Sequence, residues 1–195
     1  MGGTFNPIHL GHLFIAETAF EELKLNKIIF IPTGDPPHKK NEDVIDGHHR
    51  LEMTKIAINS NKNFVVSNIE IKRKGYSYTV ETIDELFNVY GRDIELYFIT
   101  GTDTFMELET WKNYKELFHR VTIVVVTRLG FNDIILNKRI EHYKKIHGAN
   151  IIKLTAPILE ISSTNIRDRI KNKKSIKYLL PEKVEEYIYK NQLYT

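Results

Sequence analysis

VTIVVV, residues 121–126, is β-branched at every position and is the clearest strand in the 195-residue chain. A continuous apolar run, rather than an alternating one, suits a strand covered on both faces, as parallel strands are. Similar runs stand at 28–31, ended by Pro32, at 96–100 and at 151–154, with a shorter one at 64–66 that 69–71 is expected to continue after a break. Helical spacing fills the intervals. Leu10, Leu13, Phe14, Ala16, Ala19, Phe20 and Leu23 recur every three or four residues, as do apolar residues over 50–58 and over 79–90, where Gly91 stops the run. Two short helices are expected from Asp103 and from Trp111, and a polar one over 132–147 closed by Gly148. The C-terminal part reads as helical from about Ser163, broken near Lys174 and resumed after Pro181. Strands alternating with helices predict parallel pairing through right-handed crossovers. The expected architecture is a single α/β domain over 1–195, a doubly wound, Rossmann-like parallel sheet with helices on both faces. Residues 162–195 would be its small helical C-terminal part. Residues 33–47, with Gly34, Pro36, Pro37 and Gly47 among many charges, read as a long loop.

Composition excludes several classes. No cysteine is present, so disulfides and thiolate metal sites are ruled out. The apolar runs are far shorter than the roughly 20 residues a spanning helix needs, and no basic-then-apolar leader is visible, which together lead us to expect a cytoplasmic protein. The net charge of +3 is compatible with an anionic ligand and equally with a solvated surface. The basic stretch 171–177 has no interleaved stacking aromatics, so neither a nucleic-acid nor a membrane partner is expected. Oligomeric state is not readable; a homo-oligomer is compatible with the sequence.

The strongest chemical signal is GGTFNPIHLGH, residues 2–12. Gly2 and Gly3 can take backbone angles closed to other residues and let a ligand approach the main chain. Asn6 and Pro7 fit the cap and first turn of the helix that follows, whose exposed N–H groups suit a phosphate. His9 and His12, spaced i and i+3, can share one side of a turn, and Gly11 leaves room for a bulky anion. A glycine turn with two surface histidines, or a histidine pair on a metal, is the other reading of the same residues. A second signal lies far away at ISSTNIR, residues 161–167. Three hydroxyls before a helix, with Arg167 one turn in, would bind a polyphosphate; plain helix capping would also account for the serines.

Together the two segments resemble the HxGH and ISSTxIR elements of the nucleotidylyltransferase superfamily, and GGTFNPIHLGH is similar to the opening of bacterial nicotinate-nucleotide adenylyltransferases. TGDPPHKK (33–40), GYSYT (75–79), GTDTF (101–105), the segment from Trp111 and LLPEKVEEYI (179–188) extend the resemblance over nearly the whole chain. It implies transfer of the adenylyl group of ATP to nicotinate mononucleotide, with pyrophosphate leaving. It implies His9, His12 and Arg167 as catalytic residues. ATP would be met by Gly2, Gly3, Thr4, Phe5, His12, Gly101, Asp103, Ile161, Ser162, Ser163, Thr164 and Arg167. The acceptor would be met by Lys39, Ser77, Tyr78, Thr79 and Trp111, with Thr79 on the nicotinate carboxylate and Trp111 stacked on the ring. Without the resemblance, Trp111 would be read as core. Magnesium would come with ATP and bridge its phosphates, mostly through water, so no protein metal site is expected. His48, His49 and Arg50 cannot face one metal together; they suit a helix start, with Arg50 near the substrate. The rival activities are a sister enzyme for nicotinamide mononucleotide or phosphopantetheine, and a non-catalytic ATP-binding protein.

One departure stands out. The resembling enzymes open on a short apolar strand leading into the GGTF turn, whereas here Gly2 follows Met1 at once. The expectation is that the first strand is missing or only a remnant, and that the natural protein carries several more residues upstream.

Overall fold

The computed structural model describes residues 1–35, 44–128, 134–157 and 159–195. They fall into two compact units, Met1–Tyr76 with Leu159–Thr195, and Ser77–Ile158.

In the first unit, strands β1 (Gly2–Gly3), β2 (Ile28–Pro32) and β3 (Phe64–Val66) pair in that order, all parallel. Helix α1 (Leu10–Glu22) connects β1 to β2, and α2 (Gly47–Ile58) lies between β2 and β3. The first strand is thus two residues long rather than missing: Gly2 lies opposite Ile31 and Gly3 opposite Pro32. β2 is the buried strand its composition demands, with Ile28, Phe30 and Ile31 all enclosed. Phe30 stands between Phe5 and Phe64, ring centroids 5.9 and 5.2 Å away, and so ties the strand ends to the glycine turn.

The expected extension of β3 is absent. Residues 69–72 form the short helix α3 (Ile69–Lys72), because the ladder ends where the Ser67 amide meets the Phe30 carbonyl. Beyond that point the Ser67 hydroxyl accepts from the Ile69 amide, and the Lys72 amide bonds the Asn68 carbonyl. Short polar side chains offering the backbone a local partner favour a turn over a strand.

The second unit opens with α4 (Thr79–Tyr90), ended by Gly91 at φ 87°, where a left-handed residue is needed. Strands β4 (Tyr97–Gly101), β5 (Thr122–Arg128) and β6 (Ile151–Ala156) pair in sequence order, again parallel. Ile123, Val124 and Val125 at the centre of β5 are all fully buried, the signature of a strand covered on both faces. β4 runs straight into α5 (Thr102–Met106); a 3-10 turn at Leu108–Thr110 and α6 (Tyr114–Arg120) follow. The helix expected from Trp111 therefore starts three residues later. Helix α7 (Ile134–His147) precedes β6, and the two residues before it that were expected in the same helix lie outside the described ones. Val80, Ile83, Phe105, Leu117, Ile123 and Ile140 build this unit's core.

The last segment returns to the first unit as α8 (Ser163–Lys171) and α9 (Glu182–Lys190), the latter begun by Pro181. Among the described residues, no helix is long and apolar enough to cross a membrane.

Candidate active site

The glycine turn owes its shape to Phe5. Phe5, not Gly2 or Gly3, takes the left-handed conformation, at φ 46°, and its ring is 2% exposed. Gly3 is glycine for a different reason: a Cβ there would lie 2.9 Å from the Phe5 ring. Helix α1 then begins at Leu10 with His9 at its cap, so Asn6 and Pro7 are neither cap nor first turn.

His9 and His12 lie together, with their rings stacked at 3.7 Å between centroids and 24° between planes. The His9 amide donates to Nδ1 of His12 at 3.2 Å. A neutral His12 that accepts at Nδ1 carries its proton on Nε2, so its donor edge points away from its own backbone. The edge of Phe5 fixes the ring from another side, at 5.1 Å and 88°. His9 is buried, and burial pushes its pKa down to about 4, so it is a neutral imidazole at physiological pH. Among the described residues its Nδ1 has no hydrogen-bond partner. A Cβ on Gly11 would come 3.1 Å from that atom, so this glycine makes room for the His9 ring.

The distant ISSTNIR segment is pinned to the same turn. Ser163 Oγ donates to the Pro7 carbonyl at 2.8 Å, and Arg167 Nη1 donates to the Asn6 carbonyl at 2.9 Å. Some 160 residues of sequence separate these partners, and the fold of the first unit joins them. The pinning alters two expected roles. The one hydroxyl proton of Ser163 is committed to Pro7, which leaves its oxygen an acceptor and no donor for a phosphate. Ser162 caps α8 by accepting from the Asn165 amide at 3.1 Å, so the capping reading holds for that serine. Thr164 Oγ1 takes a long bond, 3.4 Å, from Arg167 Nη2, and Ile161 is half-buried just ahead of the cap.

Arg50 is enclosed by backbone. It is 1% exposed, and its guanidinium donates to the carbonyls of Ile45, Thr4 and Gly34 at 3.0, 2.8 and 3.1 Å. It holds backbone, including the Thr4 carbonyl of the glycine turn. Burial lowers its pKa, while Tyr194, Asp46 and Glu70 oppose that shift. The expected helix start is there, with Asp46 capping α2 through the His48 amide at 2.7 Å. His48 is exposed, and His49 Nδ1 meets the Tyr187 hydroxyl at 2.9 Å, so the three neighbours do face different ways. Asn6 went unweighed as a site residue, yet it is 4% exposed and collects bonds from three distant partners. An asparagine inside a glycine-rich turn was the available signal.

In the second unit, Ser77 is buried, Tyr78 precedes α4, and half-buried Thr79 is its first residue. Lys112 Nζ lies 4.2 Å over the Tyr78 ring and bonds Glu81 at 2.9 Å. Trp111 is half-buried and meets Phe98 edge to face at 5.9 Å, with part of its ring against the core. Exposed Gly101 caps α5, and exposed Asp103 sits in its first turn without capping it. Lys39 lies outside the described residues. Among the described residues, no cluster of histidine and carboxylate side chains could hold a metal.

Parallel α/β units with a glycine turn, a histidine pair and an arginine at a helix start define a nucleotide-binding protein of the transferase type. The cytidylyltransferase-like family model matches residues 1–169. A "probable nicotinate-nucleotide adenylyltransferase" of Thermoanaerobacter sp. (strain X514) is 48% identical over 194 residues, covering 100% of this chain and 92% of that protein. One of the same name from Moorella thermoacetica is also 48% identical, over 100% of this chain and 89% of its own length. In fold, the chain is similar to a Plasmodium falciparum nicotinic acid mononucleotide adenylyltransferase complexed with NaAD, with a TM-score of 0.82 at 18% identity over 99% of this chain and 94% of that one. The chain belongs to the cytidylyltransferase-like nucleotidyltransferases and, within them, to the nicotinate-nucleotide adenylyltransferase family.

Proposed function

We propose that this protein transfers the adenylyl group of ATP to nicotinate mononucleotide, giving nicotinate adenine dinucleotide and pyrophosphate in NAD biosynthesis. The observation that carries the reading is the pinning of Ser163 and Arg167 to residues 6 and 7, which joins the guanidinium to the turn that bears the stacked histidines. A phosphate oxygen of the acceptor attacks the α-phosphorus of ATP, and the bond from that phosphorus to the bridging oxygen breaks. The nucleophile is already an anion, so no base is needed; catalysis is positioning and stabilisation of charge. His12 donates from Nε2 to a phosphate oxygen, and neutral His9 supports it by stacking and offers its own ring edge. Arg167 holds the departing pyrophosphate together with the amides at the start of α8.

ATP enters as its magnesium complex. Magnesium would come with ATP, held mostly by the phosphates and water rather than by side chains of this protein. Gly101 and Asp103 would meet the adenosine, and Ser77, Tyr78, Thr79 and Trp111 the pyridine nucleotide, with Lys39 reaching a phosphate. The reading takes residues 1–195 as a single nucleotidylyltransferase domain in the cytoplasm, without nucleic acid or membrane as partner.

The test is pyrophosphate release from magnesium–ATP with nicotinate mononucleotide, nicotinamide mononucleotide or phosphopantetheine as acceptor. The first should dominate. Turnover of another acceptor alone would assign a sister activity, and ATP binding without release for any acceptor would leave a non-catalytic binder.

A further inference from the structure

Asn6 joins the two halves of the phosphate site, and a third element holds Asn6. Its carbonyl receives Arg167, while its Oδ1 accepts from the Tyr194 hydroxyl at 2.9 Å and from the Ile45 amide at 3.4 Å. The tyrosine comes from the turn after α9, where the Leu193 amide bonds the Ile188 carbonyl. Tyr194 is 9% exposed and sits at φ 64°, a left-handed conformation that bulky residues rarely keep unless the surroundings impose it. Burial raises its pKa well beyond the ordinary phenol range against the pull of Arg167 and Arg50, so the hydroxyl remains a donor.

We propose that Tyr194 is a positioning residue for the polyphosphate: its hydroxyl locks the Asn6 amide, and the locked peptide sets the aim of the Arg167 guanidinium. The chain of contacts runs from Tyr194 OH to Asn6 Oδ1, through one residue, and from the Asn6 carbonyl to Arg167 Nη1. Asn6 immediately precedes Pro7, whose carbonyl anchors Ser163, so movement of Asn6 shifts both anchors of the α8 start together. The role rests on the proposed function for Arg167 as the polyphosphate's partner and for its kinetic consequence.

Calorimetric titration of the full chain with magnesium–ATP tests it. Tyr194→Phe removes one hydroxyl and nothing else. It should keep one ATP site per chain and bind about tenfold more weakly. In an Arg167→Lys background the same change should cost less than twofold, because both act through one contact. In steady state, kcat/KM for ATP should fall by the calorimetric factor while KM for nicotinate mononucleotide moves less than twofold. ATP affinity within twofold of the parent overturns the proposal, as does a full tenfold loss that persists without Arg167. A reduced number of sites at unchanged affinity would mean that Tyr194 only supports folding, and also overturns it. If the parent binds ATP but releases no pyrophosphate with any acceptor, adenylyl transfer falls while the titration still decides the role of Tyr194.

Discussion

The turn at 5–12, in the first unit, and the segment at 77–111, in the second, are built differently. In the turn, Phe5, Asn6 and His9 are buried, and bonds from Arg50, Ser163, Arg167 and Tyr194 reach the backbone or side chains of residues 4–7. In the second region Thr79 and Trp111 are half-buried, Gly101 and Asp103 exposed, and the polar contacts of Tyr78 and Lys112 lie near the surface. A group that stabilises charge as it develops must be rigid, since preorganisation is where its advantage lies. A group that recognises an acceptor needs an accessible face and the right neighbour. The difference says that the phosphate end should respond to substitution as a unit, through turnover, and the acceptor end piecemeal, through binding.

The largest effect should come from His12. Its replacement by Ala removes a donor held by the His9 amide and the Phe5 ring, so turnover should fall about 100-fold with the melting curve nearly unchanged. A pyrophosphate-release assay within a few-fold of the parent would strip His12 of its role and blur the contrast between the regions.

Acceptor choice is next. A site built for the nicotinate carboxylate loses a charge-assisted bond when it meets the amide, so the specificity constant for nicotinamide mononucleotide should be at least about tenfold lower. Equal constants would mean that Ser77–Thr79 do not read the carboxylate.

Trp111→Ala should weaken nicotinate mononucleotide binding about tenfold and ATP binding less than twofold, as one stacked ring is lost. Equal losses for both ligands would return Trp111 to the core, where its edge already meets Phe98.

A last effect, on stability rather than turnover, is a pH dependence from His9. Its pKa is about 4 when folded against 6.5 for the free side chain, so the unfolded chain binds the proton more readily. Stability is therefore complete above pH 6.5, is lost progressively as the pH falls towards 4, and levels off below. Melting temperatures of the parent and of His9→Gln across that range should converge as the pH drops; parallel curves would mean that His9 does not resist protonation.

Much of this was legible in the chain. Local periodicity placed α1, α2, α4 and the strands β2, β4 and β5, because burial on one stripe or on both faces writes itself into residue order. HxGH and ISSTNIR identified the family because a phosphate turn constrains adjacent residues. What the sequence left wrong depended on distant partners. Residues 69–72 became helical where the ladder to Phe30 ran out, and the proton of Ser163 goes to a carbonyl 156 residues away. Arg50, expected at a helix start, is enclosed there on three backbone carbonyls that the sequence does not name. Sequence order alone determined which residues could form each element and which family they serve. Which donor meets which acceptor was decided only by tertiary structure, since a hydrogen bond depends on a few tenths of an ångström and on burial, and neither is encoded by neighbours along the chain.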